Sequence, residues 1–192
     1  MTDQEEQIII RKVVAGDAQA FAGLVNTYKD MAVLLAYNIL LNREDAEEVA
    51  QDAFVKAYKS LHSFKSDARF STWLYRIIVN TALNKKKLKK QYPLEITEIV
   101  AAEVPSDINN IFATQITREH RKHIQVALKS INTNERLCIT LYYLNELSVE
   151  EIYELTGITT SNIKVLLYRG RKNLYAALHR HLKNEITNLI KQ

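Results

Sequence analysis

Between Glu154 and Glu185 the chain carries six Lys or Arg residues and no acid. That charge pattern suits the binding of a polyanion. Ile163, Leu167, Leu174 and Leu178 recur in this stretch at the spacing of an inward helical stripe. Ser161, Asn162, Lys164, Val165, Tyr168 and Arg169 then lie on the other side, and Arg171, Lys172 and Arg180 extend the basic surface. A helix in the major groove of DNA needs polar groups toward base edges and cations toward phosphates. The plainer alternative is a helix whose cations face solvent. Solvated faces usually mix signs, so the missing acids weigh against it.

A second constellation mixes aromatics with cations. From Phe64 to Lys90 there is one acid, Asp67. Against it stand Lys65, Arg69, Arg76 and five lysines at the end of the segment. Aromatic rings stack on unpaired bases while cations follow the backbone, a combination suited to single-stranded DNA. Taken singly, Phe64, Phe70 and Trp73 are better explained as core, and the lysines could be a solvated helix end. A third constellation is acidic. Glu44, Asp45, Glu47, Glu48 and Asp52 follow Arg43 with no base before Lys56. Acids near a helix N-terminus also stabilise its dipole, which accounts for the first of them without any partner.

Catalytic readings are poor. His120 and His123 are three apart beside Glu119, too few ligands for a metal site. His179 and His181 are two apart on a helix and point in different directions. The single cysteine, Cys138, sits in an apolar run where a buried structural thiol is expected, and it excludes an internal disulfide. No glycine-rich phosphate loop or nucleophile motif occurs. The chain is therefore expected to be no enzyme, with no metal, cofactor or small-molecule substrate.

These side chains need helices to hold them. The 192 residues include only four glycines and two prolines, and 47% are apolar. Few turn formers and many helix formers predict an all-α fold rather than sheets. Both prolines, Pro93 and Pro105, fall in the stretch 85–115, which lacks a helical stripe and predicts a flexible linker between two small helical domains. About 30 such residues reach roughly 100 Å when extended. The expected domains are 1–90 and 113–185, joined by 91–112.

In the first domain Asp17 predicts an N-cap. Phe21, Leu24, Val25 and Tyr28 then mark one helix, and Met31, Leu34, Leu35 and Asn38 a second. A third runs from 44 to 61, with Asp45, Glu48 and Asp52 on its polar side. Ser71 or Thr72 is expected to cap a fourth, whose polar side carries Arg76, Asn80, Asn84 and Lys87. In the second domain helices are expected near 114–131 and 134–145. Ser148 and Glu151 form a capping box, Gly157 ends the short helix, and Thr159 or Thr160 caps the basic one. Short helix, glycine turn and basic helix make a helix-turn-helix. The acidic opening MTDQEEQIII lacks a signal-peptide pattern. No apolar run approaches the ~20 residues of a membrane span, so a cytoplasmic protein is expected.

GDAQAFAGL (16–24), DAEEVAQDAF (45–54), FSTWLYRIIVNTALN (70–84) and NIKVLLYRGRKNL (162–174) resemble, in order and spacing, the extracytoplasmic-function (group IV) sigma factors of the sigma-70 family. The resemblance implies a subunit that binds core RNA polymerase and directs promoter-specific transcription initiation. Asp45, Glu48, Gln51 and Asp52 would dock on the β′ coiled coil. Phe64, Lys65, Arg69, Phe70, Trp73, Arg76, Asn80 and Asn84 would open and read the promoter −10 element. Here a flipped base would enter a pocket near 64–70. Ser161, Asn162, Lys164, Val165, Tyr168, Arg169, Arg171 and Lys172 would read the −35 duplex. The linker would thread through polymerase toward the RNA exit path. Many members are held inactive by a membrane-anchored anti-sigma factor; the sequence identifies none for this chain. The family often has arginine two residues after the recognition-helix lysine. Leu166 stands there instead, either touching a thymine methyl or extending the core.

Two competing readings belong to other classes. A helix-turn-helix regulator with a sensory first domain would bind duplex without polymerase. The Trp helix followed by lysines argues against it, since a sensor needs no single-strand platform. A helical interaction protein without a DNA role is disfavoured by the acid-free recognition helix.

Overall fold

The computed structural model describes residues 1–65, 69–91 and 118–190. No strand occurs among them. The chain divides into two compact units, Met1–Val104 and Pro105–Gln192. The expected linker 91–112, except its first residue, and the start of the helix expected from 114 lie outside the described residues.

The first unit opens with a helix that the sequence reading did not place. Helix α1 spans Asp3–Val14 and starts at a capping box. The Thr2 hydroxyl accepts from the Glu5 N–H at 3.3 Å, and the Glu5 carboxylate accepts from the Thr2 N–H at 2.8 Å. These contacts lower the Glu5 pKa, with the backbone hydrogen bond at Thr2 the largest cause. Asp3, Glu5 and Glu6 in the first turn and Arg11 and Lys12 in the last suit the helix dipole. Ile10 and Val13 are buried.

Asp17 caps a 3-10 turn, Ala18–Ala20, through a 3.2 Å bond from the Ala20 N–H. The two helices expected next are one. Helix α2 runs unbroken over Phe21–Leu40. No glycine or proline interrupts residues 24–40, and the second half is buried almost all round, at Leu34, Leu35, Ala36, Tyr37 and Ile39. A helix apolar on every side must sit at the centre of its unit. Accordingly α2 packs against α1, against α3 (Arg43–Ser60) and against α4 (Phe70–Gln91). It ends at Leu41, which adopts a left-handed φ of 58°. Asn42 then caps α3, accepting from the Asp45 N–H at 2.8 Å. Ser71 and Thr72 do not cap α4. The helix already includes Phe70, and Thr72 is buried within it.

The second unit contains α5 (Arg118–Lys129), α6 (Thr133–Ile139), α7 (Val149–Thr156) and α8 (Thr160–Ile190). Arg136 is 1% exposed. Its guanidinium donates to the carbonyls of Leu128 at 3.0 Å and Ile131 at 3.1 Å, tying α6 to the chain that leaves α5. A π-helical turn, Thr140–Leu144, follows α6 where the sequence predicts a continuing α-helix. The capping box of α7 forms as expected, with Ser148 and Glu151 bonded reciprocally at 3.1 and 2.8 Å. Gly157 ends α7 with φ 70°. Helix α8 begins at Thr160, and the Thr159 carbonyl accepts from the Ile163 N–H at 2.9 Å. It packs on α5, α6 and α7. At Gly170 a Cβ would meet Ile139 Cγ1 at 2.9 Å and the Glu135 carbonyl oxygen at 3.4 Å. Glycine thus lets α8 approach α6 closely.

Candidate nucleic-acid and polymerase interfaces

The outward side of α8 is as the apolar spacing predicts. Ile163 (0% exposed), Leu167 (5%) and Gly170 are buried on the side of α8 that packs on α6 and α7, where Ile152, Leu155, Leu137 and Leu141 are buried too. Ser161, Asn162, Lys164, Val165, Tyr168, Arg169, Arg171 and Lys172 are all exposed. Val165 and Tyr168 expose 43% and 63% of their surface among these cations. Leu166 is half-buried, intermediate between the two roles left open for it.

In the first unit, Phe64, Phe70, Trp73 and Tyr28 form one aromatic cluster. Phe64 lies 5.3 Å from Trp73 and 5.8 Å from Phe70, and Tyr28 lies 5.6 Å from Phe70, between ring centroids. Sequence left open whether these rings are core or surface, and the structure divides them. Phe70 is fully buried and presents nothing to a ligand; it supports Phe64 and Trp73, which are half-exposed. Lys65 and Arg69 are exposed on either side of the undescribed residues 66–68, and Arg76, Asn80, Asn84 and Lys87 are exposed along one face of α4.

The lysine run at the end of α4 is not uniformly available. Lys85 Nζ bridges Glu48 at 2.5 Å and Asp45 at 3.3 Å. Burial lowers the Lys85 pKa, but the hydrogen bonds to Glu48 and Asp45 outweigh it, so the net shift is upward. Lys86 Nζ donates to the Ile39 carbonyl at 2.9 Å, near the C-terminus of α2. Both lysines therefore fasten α4 to its neighbours.

The same ion pair changes the acidic face of α3. Asp45 was expected on the exposed side with Glu48 and Asp52. It is 9% exposed and turned toward Lys85. Helix spacing alone cannot reveal this, because α4 covers one edge of the acidic stripe. Glu48, Gln51 and Asp52 do face solvent. Val55, which the sequence reading passed over, continues that stripe and is 51% exposed. An apolar side chain three or four residues beyond two exposed polar ones is the signal that was available.

The histidines and the cysteine assemble no metal site among the described residues. His123 lies with its ring 5.2 Å from His181, whereas His179 stacks near Tyr175. Cys138 is fully buried, and burial pushes its thiol pKa up to about 11. No helix among the described residues is long and apolar enough to cross a membrane.

An aromatic-basic surface beside an acidic stripe in one unit, with a helix-turn-helix in the other, defines the class. Sigma-70 region 2 matches residues 24–91, and Sigma-70, region 4 matches residues 121–174. The ECF RNA polymerase sigma factor SigW of Bacillus subtilis is 35% identical over 173 residues, covering 86% of this chain and 92% of its own. The ECF RNA polymerase sigma-E factor of Escherichia coli is 30% identical over 174 residues, covering 87% and 91%. The chain belongs to the ECF sigma factors of the sigma-70 family. Its fold is shared with the sigma factor RpoE of Bartonella quintana, solved with the anti-sigma factor NepR. That likeness has a TM-score of 0.66 at 19% identity and covers 83% of this chain and 96% of RpoE.

Proposed function

We propose that this sigma factor divides promoter-specific transcription initiation between its two units. The first docks on core RNA polymerase through Glu48, Gln51, Asp52 and Val55 of α3. It captures unpaired bases of the −10 element with Phe64 and Trp73, while Lys65, Arg69, Arg76, Asn80 and Asn84 follow the strand. The second lays the exposed side of α8 into the major groove of the −35 element. Phe70 and Asp45 act inside this arrangement, the first under the aromatic pair and the second by holding Lys85. RNA polymerase carries the chemistry and the factor supplies address and melting, so its place of work is that of polymerase, the cytoplasm.

One observation carries the reading. The first unit displays an acidic, partly apolar stripe on α3 and an aromatic-basic face on α4, with the boundary between them sealed by Lys85. Two surfaces of opposite character suit two partners at once. Pulling a base from the stack costs a few kcal/mol. Ring capture and phosphate contacts can offset that cost, and easily unstacked steps lower it. A duplex element needs no such platform, only an outward recognition helix.

The test is capture of purified core RNA polymerase by the full chain, followed by run-off transcription from genomic promoter fragments. Binding with new, discrete start sites is expected, and Asp52→Lys should weaken capture at least tenfold while leaving the helical signal intact. Normal capture by Asp52→Lys would remove α3 from the docking surface. No capture of core at all, with tight binding to duplex, would instead indicate a regulator that works without polymerase.

A further inference from the structure

Arg171 does not stand alone on α8. Its Nη1 donates to the hydroxyl oxygen of Tyr143 at 3.0 Å. Tyr143 comes from the π-helical turn between α6 and α7, 28 residues earlier, and is 47% exposed. The turn closes with the Asn145 N–H bonded to the Thr140 carbonyl at 3.1 Å and the Leu147 N–H to the Leu141 carbonyl at 3.0 Å. Wide turns of this kind are uncommon and concentrate at functional positions. Here the turn brings a phenol to the flank of the recognition helix.

The flank matters. A helix advances about 100° per residue, so positions seven apart nearly superimpose. Ile163, Leu167 and Gly170 define the buried side, which puts Val165, Tyr168 and Lys172 at the centre of the opposite side. Lys164 and Arg171 share one flank, and Asn162 and Arg169 the other. A helix lying in the major groove turns its centre to the bases and its flanks to the two phosphate walls. Tyr143 therefore lies on the Lys164–Arg171 side, where backbone phosphate is expected. Its hydroxyl uses a lone pair to accept from Arg171 and retains its own proton to donate. The guanidinium keeps further N–H donors, and α8 holds no acid between Glu154 and Glu185 to compete for them.

We infer that the Tyr143 hydroxyl and the Arg171 guanidinium form a clamp for one DNA backbone phosphate, each donating to it while Tyr143 fixes the direction of Arg171. The inference rests on the reading of α8 as a DNA-binding helix. It adds Tyr143, from outside the helix-turn-helix, to the residues that set affinity.

Phosphate contacts carry sequence-independent binding, so the probe is a fluorescent 30-base-pair duplex of mixed sequence, titrated with the full chain across salt concentrations. Arg171→Ala should weaken binding about tenfold and reduce the salt slope by about one unit. Tyr143→Phe should weaken it about fivefold, the worth of one hydrogen bond, with the slope unchanged because no charge is lost. The double variant should bind no worse than Arg171→Ala by more than about 1.5-fold, since one phosphate serves both groups. Both side chains are exposed, so unchanged circular dichroism melting verifies the fold. If Tyr143→Phe binds like the parent while Arg171→Ala does not, or if the two losses multiply, the clamp is wrong and the DNA-binding helix stands. If Arg171→Ala, Arg169→Ala and Lys164→Ala all bind like the parent, the underlying reading of α8 fails, and the clamp with it.

Discussion

The two units use charge in opposite ways. The first turns much of it inward. Lys85 bridges Glu48 and Asp45, Lys86 reaches the Ile39 carbonyl, and Lys56 Nζ donates to the Thr81 hydroxyl at 3.1 Å. Glu6, 6% exposed, accepts from the Tyr28 hydroxyl between α1 and α2. Among the described residues of the second unit, Arg136 is buried, whereas Lys164, Arg169, Arg171 and Lys172 are exposed on α8. On the proposed reading, a platform that keeps a displaced base in register needs stiffly joined helices, and charges crossing between helices stiffen it. A helix that enters an intact groove needs its cations outside, where counterion release rewards each phosphate contact.

The strongest way to break this comparison is to remove the buried Arg136. Arg136→Leu strips its donors from the Leu128 and Ile131 carbonyls and should destabilise the second unit by about 3 kcal/mol. The only tryptophan, Trp73, lies in the first unit, so its fluorescence reports that unit while helical circular dichroism reports both. The variant should show an early circular dichroism transition with the fluorescence transition unmoved. Equal shifts in both would show that the units unfold together and that the contrast is not one of separate stabilities.

Lys85→Ala tests the other side. It leaves Asp45 nearly buried without its cation and should lower the fluorescence-detected stability by about 2 kcal/mol. It also frees Glu48, so capture of core RNA polymerase should persist once temperature is held below the new transition. Loss of capture with the unit still folded would make Lys85 part of the docking surface itself.

A smaller effect comes from a feature the units share. Leu41 (φ 58°) precedes the N-cap of α3, and Glu146 (φ 54°) lies two residues before the N-cap of α7. Left-handed backbone strains any residue with a Cβ. Leu41→Gly and Glu146→Gly should each stabilise by about 1 kcal/mol, the first raising the fluorescence transition and the second only the circular dichroism transition. A loss of stability at Leu41→Gly would mean that its 39% exposed side chain contributes packing worth more than the strain.

These contrasts also mark what sequence could reveal. The capping box at Ser148, the glycine stop at Gly157 and the start of the inward stripe of α8, Ile163 and Leu167, are local signals that the structure has where the spacing predicts, whereas Leu174 and Leu178 further along are only half-buried. The capping box at Thr2 is equally local, with Ile10 and Val13 beyond it, and it could have placed α1. The Lys85–Asp45 bridge spans 40 positions and the Tyr143–Arg171 contact 28. Neither leaves a periodic trace, so the surface role expected of Asp45 and the omission of Tyr143 have one cause: tertiary pairing. The lysine run misled for the same reason, since composition cannot tell a cation that fastens two helices from one that faces solvent.

The smallest effect separates the units by pH. In the second, burial raises the Cys138 thiol from 9.0 to about 11. In the first, burial and then the hydrogen bond to Glu6 raise the Tyr28 hydroxyl above its ordinary 10.0. Lys85 is raised above 10.5, as its carboxylate partners outweigh burial. Every one of these folded-state values lies above the unfolded one. The stability linked to each group is therefore complete below the unfolded value and is lost as pH climbs through the folded value. The second unit should begin to weaken from about pH 9, one unit before the first. Cys138→Ala should remove that early loss from circular dichroism melts between pH 9 and 10 and leave the Trp73 signal unchanged. If the early loss survives the substitution, its source lies elsewhere in the second unit. If it appears in fluorescence too, the first unit titrates earlier than Tyr28 and Lys85 allow, and its inward charges hold it less firmly than their geometry implies.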